Sequence, residues 1–186
     1  LPPPPDVIEE KTRINAISTV YNTFQSIEEN GTLDTTALQR VTDSIVFDLF
    51  ENRNNLVQLT DIRAHDAYTF AHSVNVAVLS AMMGMLCHMP RDEISLITLG
   101  GLLHDLGKVD VSSDILTKNR GLSDREFKIM KKHPLDGSRR ILNVSDLPKK
   151  SILATIAAQH HEHIDGSGYP NGITGNEMHR YAKITA

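Results

Sequence analysis

Tryptophan is absent from this 186-residue chain, cysteine occurs once, and aromatic residues make up only 5% of it. A lone Cys87 leaves no internal disulfide and favours a reducing compartment, so a cytoplasmic setting is expected. No apolar run is long enough to span a bilayer. The chain opens on Leu1 and four prolines, without a basic region ahead of an apolar run, so no signal peptide is read. That opening reads as a linker, and the chain as beginning mid-protein. Basic charge is also scarce: the formal net charge is -4, which offers no face to a long nucleic acid. A small phosphorylated ligand, neutralised locally, stays open.

Strand-like alternation is short wherever it occurs, while apolar stripes of helical period recur. The expected fold is therefore an all-α bundle of one domain with a preceding helical extension. Asp6, with Glu9 at the capping-box position, opens a first helix through Ile8, Ile14, Ile17, Tyr21, Phe24 and Ile27, closed by Asn30-Gly31. Asp34 caps a second through Leu38, Val41, Ile45, Phe47 and Leu49. These form a packing segment over residues 1–59, ahead of a second segment over 60–186. A third helix is expected over Tyr68 to Leu86, with Met82, Met83, Met85 and Met89 as core filler. A fourth opens at Pro90-Arg91-Asp92 and carries His104 and Asp105 near its end. Val109 to Gly121 reads as a loop with one short turn. Ser123 and Glu126 form a capping box, and His133-Pro134 ends or interrupts that helix, with Leu135 to Leu142 as its resumption. Ser145 or Asp146 caps the next, with Pro148 in its first turn. A glycine-rich loop over Asp165 to Gly172 follows, and Thr174 with Glu177 caps a final helix.

Nine histidines stand out in this composition. The stretch Leu102-Leu103-His104-Asp105-Leu106-Gly107-Lys108 turns from apolar to imidazole, carboxylate and lysine. The three-residue and four-residue spacings bring those groups toward one side of a helix. His72, His133 and the pair His160-His161 also lie in or at the ends of expected helices and can converge with them. A nitrogen and oxygen donor set without thiolate suits Fe, Mn, Ni or Zn. With one bridging carboxylate it meets the needs of a two-metal hydrolytic site, whose ions lie about 3.5–4 Å apart. Spacing alone does not choose hydrolysis over redox chemistry. Glu162 reads as a carboxylate that orients a histidine, and Asp165 as either another or the residue that folds its own loop. His65, His88, His163 and His179 read as peripheral.

Taken together, Tyr68-Thr69-Phe70-Ala71-His72-Ser73, His104-Asp105-Leu106-Gly107-Lys108, Lys132-His133-Pro134 and His160-His161-Glu162-His163-Ile164-Asp165-Gly166-Ser167-Gly168-Tyr169-Pro170 resemble the HD-GYP family of HD-domain metal phosphohydrolases. The resemblance covers about Asp61 to Ala186. It implies an all-α domain with two or three metal ions, often iron. It also implies hydrolysis of cyclic di-GMP to linear pGpG and onward to GMP. By matching positions, His72, His104, His133, His160 and His161 would ligate metal and Asp105 would bridge two ions. Lys108 would contact the scissile phosphate, and Asp66 would lie near substrate. Gly168, Tyr169 and Pro170 would shape the site and meet diguanylate-cyclase domains. Members with a third metal carry a carboxylate where this chain has Tyr68, so two divalent ions are expected. The family's further metal-binding aspartate would fall beyond Ala186, so the chain reads as shortened at that end. Two other readings stand beside it: a hydrolase of another cyclic dinucleotide or nucleotide, and a signalling module without catalysis.

Overall fold

The computed structural model describes residues 7–52 and 70–186. Asp6, His65, Asp66 and Tyr68 lie outside them. The described residues form helices α1 (Glu10–Asn30), α2 (Thr35–Glu51), α3 (Phe70–Leu86) and α4 (Arg91–Leu103), then a 3-10 helix over Leu106–Asp110. There follow α5 (Ser113–Leu116), α6 (Asp124–Met130), α7 (His133–Asn143), α8 (Lys150–Gln159) and α9 (Ala182–Thr185). No strand occurs among the described residues, only an isolated bridge between Asp165 and Thr174. The all-α expectation holds. Among the described residues no helix is long and apolar enough to cross a membrane.

Several helix ends follow the sequence signals. Asp34 caps α2 by accepting from Ala37 N–H at 2.9 Å, and Gly31 closes α1 in the left-handed conformation at φ 68°. Ser123 and Glu126 make the expected reciprocal capping box on α6. The start of α1 is fixed differently: Asp48, buried on α2, accepts from Glu9 N–H at 2.9 Å. The α1 stripe is also rotated from expectation. Ile14 and Tyr21 are 59% and 47% exposed, while Ala16 and Val20 take the inner face beside Phe24 and Ile27. Tyr21 instead leans edge-on against Phe70. Phe47, Leu79 and Leu86 likewise lie outside the core. Of the methionines, Met82 is buried but Met83 is exposed.

Other boundaries need correction. α4 stops at Leu103, so His104 is its C-cap and Asp105 leads into the 3-10 helix. The helix is interrupted and resumed near His133-Pro134 as expected, but the break falls at Lys131-Lys132 and the pair itself sits in the first turn of α7, because proline lacks an N–H that the first turn would leave unpaired anyway. Pro148 stays outside α8, which begins at Lys150 after Lys149 in the left-handed conformation. Glu177 Oε2 accepts from both the N–H and the hydroxyl of Thr174, but the pair closes a turn, and only the short α9 follows.

Two close approaches set the arrangement of the helices. A Cβ at Gly101 would fall 2.6 Å from Ala77 Cα on α3, and one at Gly100 would fall 2.6 Å from Ile156 Cδ1 on α8. Adjacent glycines inside a helix weaken it by about 1 kcal/mol each relative to alanine. Here they let α3 and α8 pack tightly on α4, with Leu102, Leu103, Val78 and Leu153 buried in one continuous core. Gly107 plays the corresponding part on the other side: its Cβ would meet His133 O at 2.0 Å and Gly137 N at 2.4 Å. The 3-10 helix thus presses directly on the first turns of α7. Arg140 reinforces that contact by donating to both Asp110 oxygens, at 2.8 and 2.5 Å. This hydrogen bonding holds the Asp110 carboxyl below its usual range.

Gly107→Ala is expected to destabilise the chain in urea unfolding by about 1–3 kcal/mol or more, because the obstacle is backbone. Gly121→Ala, where nothing lies within 4 Å of the added carbon, should stay within about 0.5 kcal/mol of the parent. Equal midpoints and slopes for Gly107→Ala and the parent would contradict this packing.

Candidate metal centre

Helix ends supply the orienting groups. The last carbonyls of a helix have no intrahelical donor. His104 Nδ1 lies 2.7 Å from Gly101 O, His133 Nδ1 2.7 Å from Met130 O, and His160 Nδ1 2.8 Å from Ala157 O. A carbonyl can only accept, so each Nδ1 carries the hydrogen and donates it. The neutral ring then presents a bare Nε2 lone pair inward, the form that binds metal. The C-terminal ends of α4 and α8 meet here, and their partial negative charge favours a cation.

Asp105 is buried at the focus. Its Oδ2 faces His104 Nε2 at 3.2 Å, His72 Nε2 at 3.7 Å and Lys108 Nζ at 2.6 Å. Its Oδ1 faces His133 Nε2 at 3.3 Å and His160 Nε2 at 3.6 Å. The His133 and His160 Nε2 atoms are themselves 3.1 Å apart. Oδ1 is fully buried with no hydrogen-bond partner among the described residues. Three acceptors therefore converge with no donor between them, an arrangement that repels itself unless something positive fills it. The donors fall into two metal-sized groups that share Asp105: one with His133, His160 and His161, the other with His72 and His104.

Charge states agree with this. Burial, then electrostatic interaction with the neighbouring His104, lowers His72. Burial pushes His160 down to about 4, and burial with the neighbouring His160 and His133 pushes His161 down to about 3. Both rings are thus neutral at physiological pH. Burial opposes ionisation of Asp105, yet the surrounding His104, then His133 and His160, hold it well below the usual carboxylate range. With His160 unfavourable to protonation, a divalent metal fits better than a proton.

A cavity of about 340 Å³ opens beside the centre, lined by His72, Lys108 and His161 together with Leu79, Ile184 and Thr185. Six sequence-selected donors, His72, His104, Asp105, His133, His160 and His161, are brought together, with Lys108 beside them. Tyr169 stacks on His161 at 4.6 Å with its ring 21° from parallel. Pro170 follows it in a loop whose Gly168 lies against the backbone of Glu162 and His163. Asp66 lies outside the described residues. Glu162 does not orient a histidine: its carboxylate accepts from Asn171 N–H at 2.7 Å and Ile173 N–H at 3.1 Å, which fixes the loop. Asp165 folds its own turn through Ser167. His88, His163 and His179 stay outside the cluster.

Sequence reasoning missed the carbonyl clamps of Gly101, Met130 and Ala157. Their signal was available: each clamped histidine stands three residues after a carbonyl in a helix's final turn. The walls formed by Leu79 and Ile184 gave no comparable signal.

The HD-domain sequence pattern matches residues 48–186. The chain belongs to the HD-domain family. Among curated members, a cyclic di-GMP phosphodiesterase of Pseudomonas aeruginosa is 30% identical over 185 residues, covering 96% of this chain and 44% of that protein. A 3'3'-cGAMP-specific phosphodiesterase of Vibrio cholerae is 34% identical over 149 residues, 74% of this chain and 28% of its own length. A cyclic di-GMP phosphodiesterase of Thermotoga maritima is 35% identical over 136 residues, 73% of this chain and 35% of its own. The chain thus spans less than half the length of these relatives. The solved structure of Bd1817, an HDG"Y"P protein from Bdellovibrio bacteriovorus, has a TM-score of 0.73 at 23% identity, covering 94% of this chain and 56% of that one. The fold is HD-GYP-like, and its His/Asp cluster is of the kind that binds divalent metals.

Ligand binding to the folded state alone adds about 2.7 kcal/mol when metal is at 100 times its Kd. Mn(II) should therefore raise the Tm over that in EDTA, and Asp105→Ala should abolish most of the rise. An equal rise in the variant would contradict the focal role of Asp105.

Proposed function

We propose that this chain is the catalytic portion of a metal-dependent cyclic dinucleotide phosphodiesterase. Its substrate is cyclic di-GMP, opened to pGpG, and its setting is the cytoplasm. The observation that carries the reading is the shared carboxylate: one Asp105 oxygen faces each of the two histidine groups.

His72, His104 and Asp105 Oδ2 would hold one divalent ion; His133, His160, His161 and Asp105 Oδ1 would hold the other. Iron is the leading choice, with Mn, Ni or Zn also compatible with these donors. When bound, the pair supplies Lewis acidity toward phosphoryl oxygen and an acidified water at neutral pH. A phosphodiester is anionic and repels an attacking hydroxide, so the chain must add positive charge on the substrate side. Lys108 stands at the cavity edge, 23% exposed, while it bonds Asp105. An ammonium has three N–H donors, so it can keep that bond and still donate to a phosphate oxygen. Leu79 and Ile184 add apolar surface to the cavity lining.

The relative that aligns over 96% of the chain acts, by its name, on cyclic di-GMP. A second reading, 3'3'-cGAMP as substrate, is favoured by the 34% identical Vibrio cholerae relative. Turnover of the two dinucleotides by Mn(II)-loaded or Fe(II)-loaded protein separates them: kcat/KM for cyclic di-GMP should be the larger. Lys108→Met should lower it by about 10²–10³-fold, as expected for loss of a charge-stabilising donor, at unchanged metal content. Faster turnover of 3'3'-cGAMP would replace the substrate, and no turnover of either would overturn the reading.

A further inference from the structure

His161 differs from the other buried-site histidines. The rings of His104, His133 and His160 are each held by a carbonyl three residues back. Among the described residues the His161 ring makes no hydrogen bond at all. An imidazole free to turn about its side-chain torsions does not present a lone pair in a fixed direction, so another contact has to set its orientation.

Tyr169 is placed to do that. Its ring lies 21° from parallel with His161 at a centroid distance of 4.6 Å. The tyrosine is itself fixed from several directions. Its N–H donates to His161 O at 3.0 Å, which returns the loop onto the segment that carries the histidine. Gly168 makes that return possible: a Cβ there would meet His163 N at 2.3 Å and Glu162 Cα at 2.5 Å. Phe127 packs its edge near the Tyr169 ring at 6.2 Å. Lys131 Nζ lies 4.7 Å from the Phe127 centroid and 5.1 Å from that of Tyr169. Glu162 then ties down the residues that follow through Asn171 and Ile173. The Tyr169 hydroxyl, by contrast, has no hydrogen-bond partner among the described residues.

We propose that Tyr169 is a positioning residue for His161, whose flat face takes the place of the carbonyl clamp that the other three rings receive. The aromatic face carries this role and the hydroxyl does not. The inference rests on the metal reading above and adds to it the device that completes the His133, His160 and His161 group. Phe127 and Lys131 belong to the same device, as the outer supports of the tyrosine ring.

Calorimetric titration of the chain with Mn(II), read together with the electron paramagnetic resonance spectrum of the bound ion, tests it. Tyr169→Phe should bind both ions within twofold of the parent and give the parent's spectrum. Tyr169→Leu keeps apolar bulk but loses the flat face; it should weaken one ion by about 10–100-fold, the usual effect of losing a ligand's outer support, and alter that ion's spectrum. Unchanged binding by the leucine variant, or equal loss in both variants, would overturn the inference. The parent chain gives a check that does not depend on any variant folding: ring-current shifts should move the His161 ring protons upfield in its NMR spectrum. Unshifted protons would also overturn it. A parent chain that takes up no metal would sink the metal reading and this inference together, whereas a metal-binding parent with an indifferent leucine variant sinks this inference alone.

Discussion

A buried carboxylate oxygen with no donor, facing imidazole lone pairs, is the constraint around which this structure is arranged. Asp105 Oδ1, His133 Nε2 and His160 Nε2 lie within 3.1–3.6 Å of one another. Isolated burial of such a group costs several kcal/mol in a medium that cannot solvate it. Helix geometry makes the arrangement worse in the metal-free state, because each Nδ1 hydrogen is already committed to a carbonyl. A divalent cation at the focus would satisfy all three acceptors at once, and the donor set is of the kind that binds one.

The fold serves that focus by bringing helix ends together rather than helix faces. Gly100 and Gly101 let α3 and α8 approach α4 closely, and Gly107 lets the 3-10 helix rest on the backbone of α7. Together these approaches gather four histidines: His72 from α3, His104 from the end of α4, His133 from the start of α7 and His160 from the end of α8. Helix termini are where backbone carbonyls remain unpaired, so the same residues that end the helices also orient the rings. Local backbone chemistry and site chemistry are thus one arrangement. His72 stands apart in being 54% exposed, on the cavity side of the cluster. The group built from His133, His160 and His161 is the more enclosed of the pair.

Much of this was legible in the residue order. Asp34, Gly31 and the Ser123–Glu126 pair marked helix ends correctly because capping is local chemistry between residues three or four apart. The donor set was legible because imidazoles and one carboxylate interrupt otherwise apolar runs. What the sequence hid was tertiary. Nothing local says that Ala16 and Val20, rather than Ile14 and Tyr21, face inward on α1; that depends on where α2 and α3 lie. Pro134 is equally compatible with closing one helix or opening another, and the packing of Gly107 on His133 decides it. Glu162 looked like a partner for a histidine because it adjoins two of them, yet its side chain turns away to bind the loop at Asn171 and Ile173. The stacking of Tyr169 on His161 joins residues eight apart across a turn, beyond the reach of any periodic pattern.

The most direct measurement is anomalous scattering from crystals of the metal-loaded chain, collected on either side of the absorption edge of the metal. The account requires two peaks flanking the Asp105 carboxylate, one against His72 and His104 and the other against His133, His160 and His161. A single peak that leaves one Asp105 oxygen without metal, or peaks bound elsewhere on the surface with Asp105 bare, would contradict it.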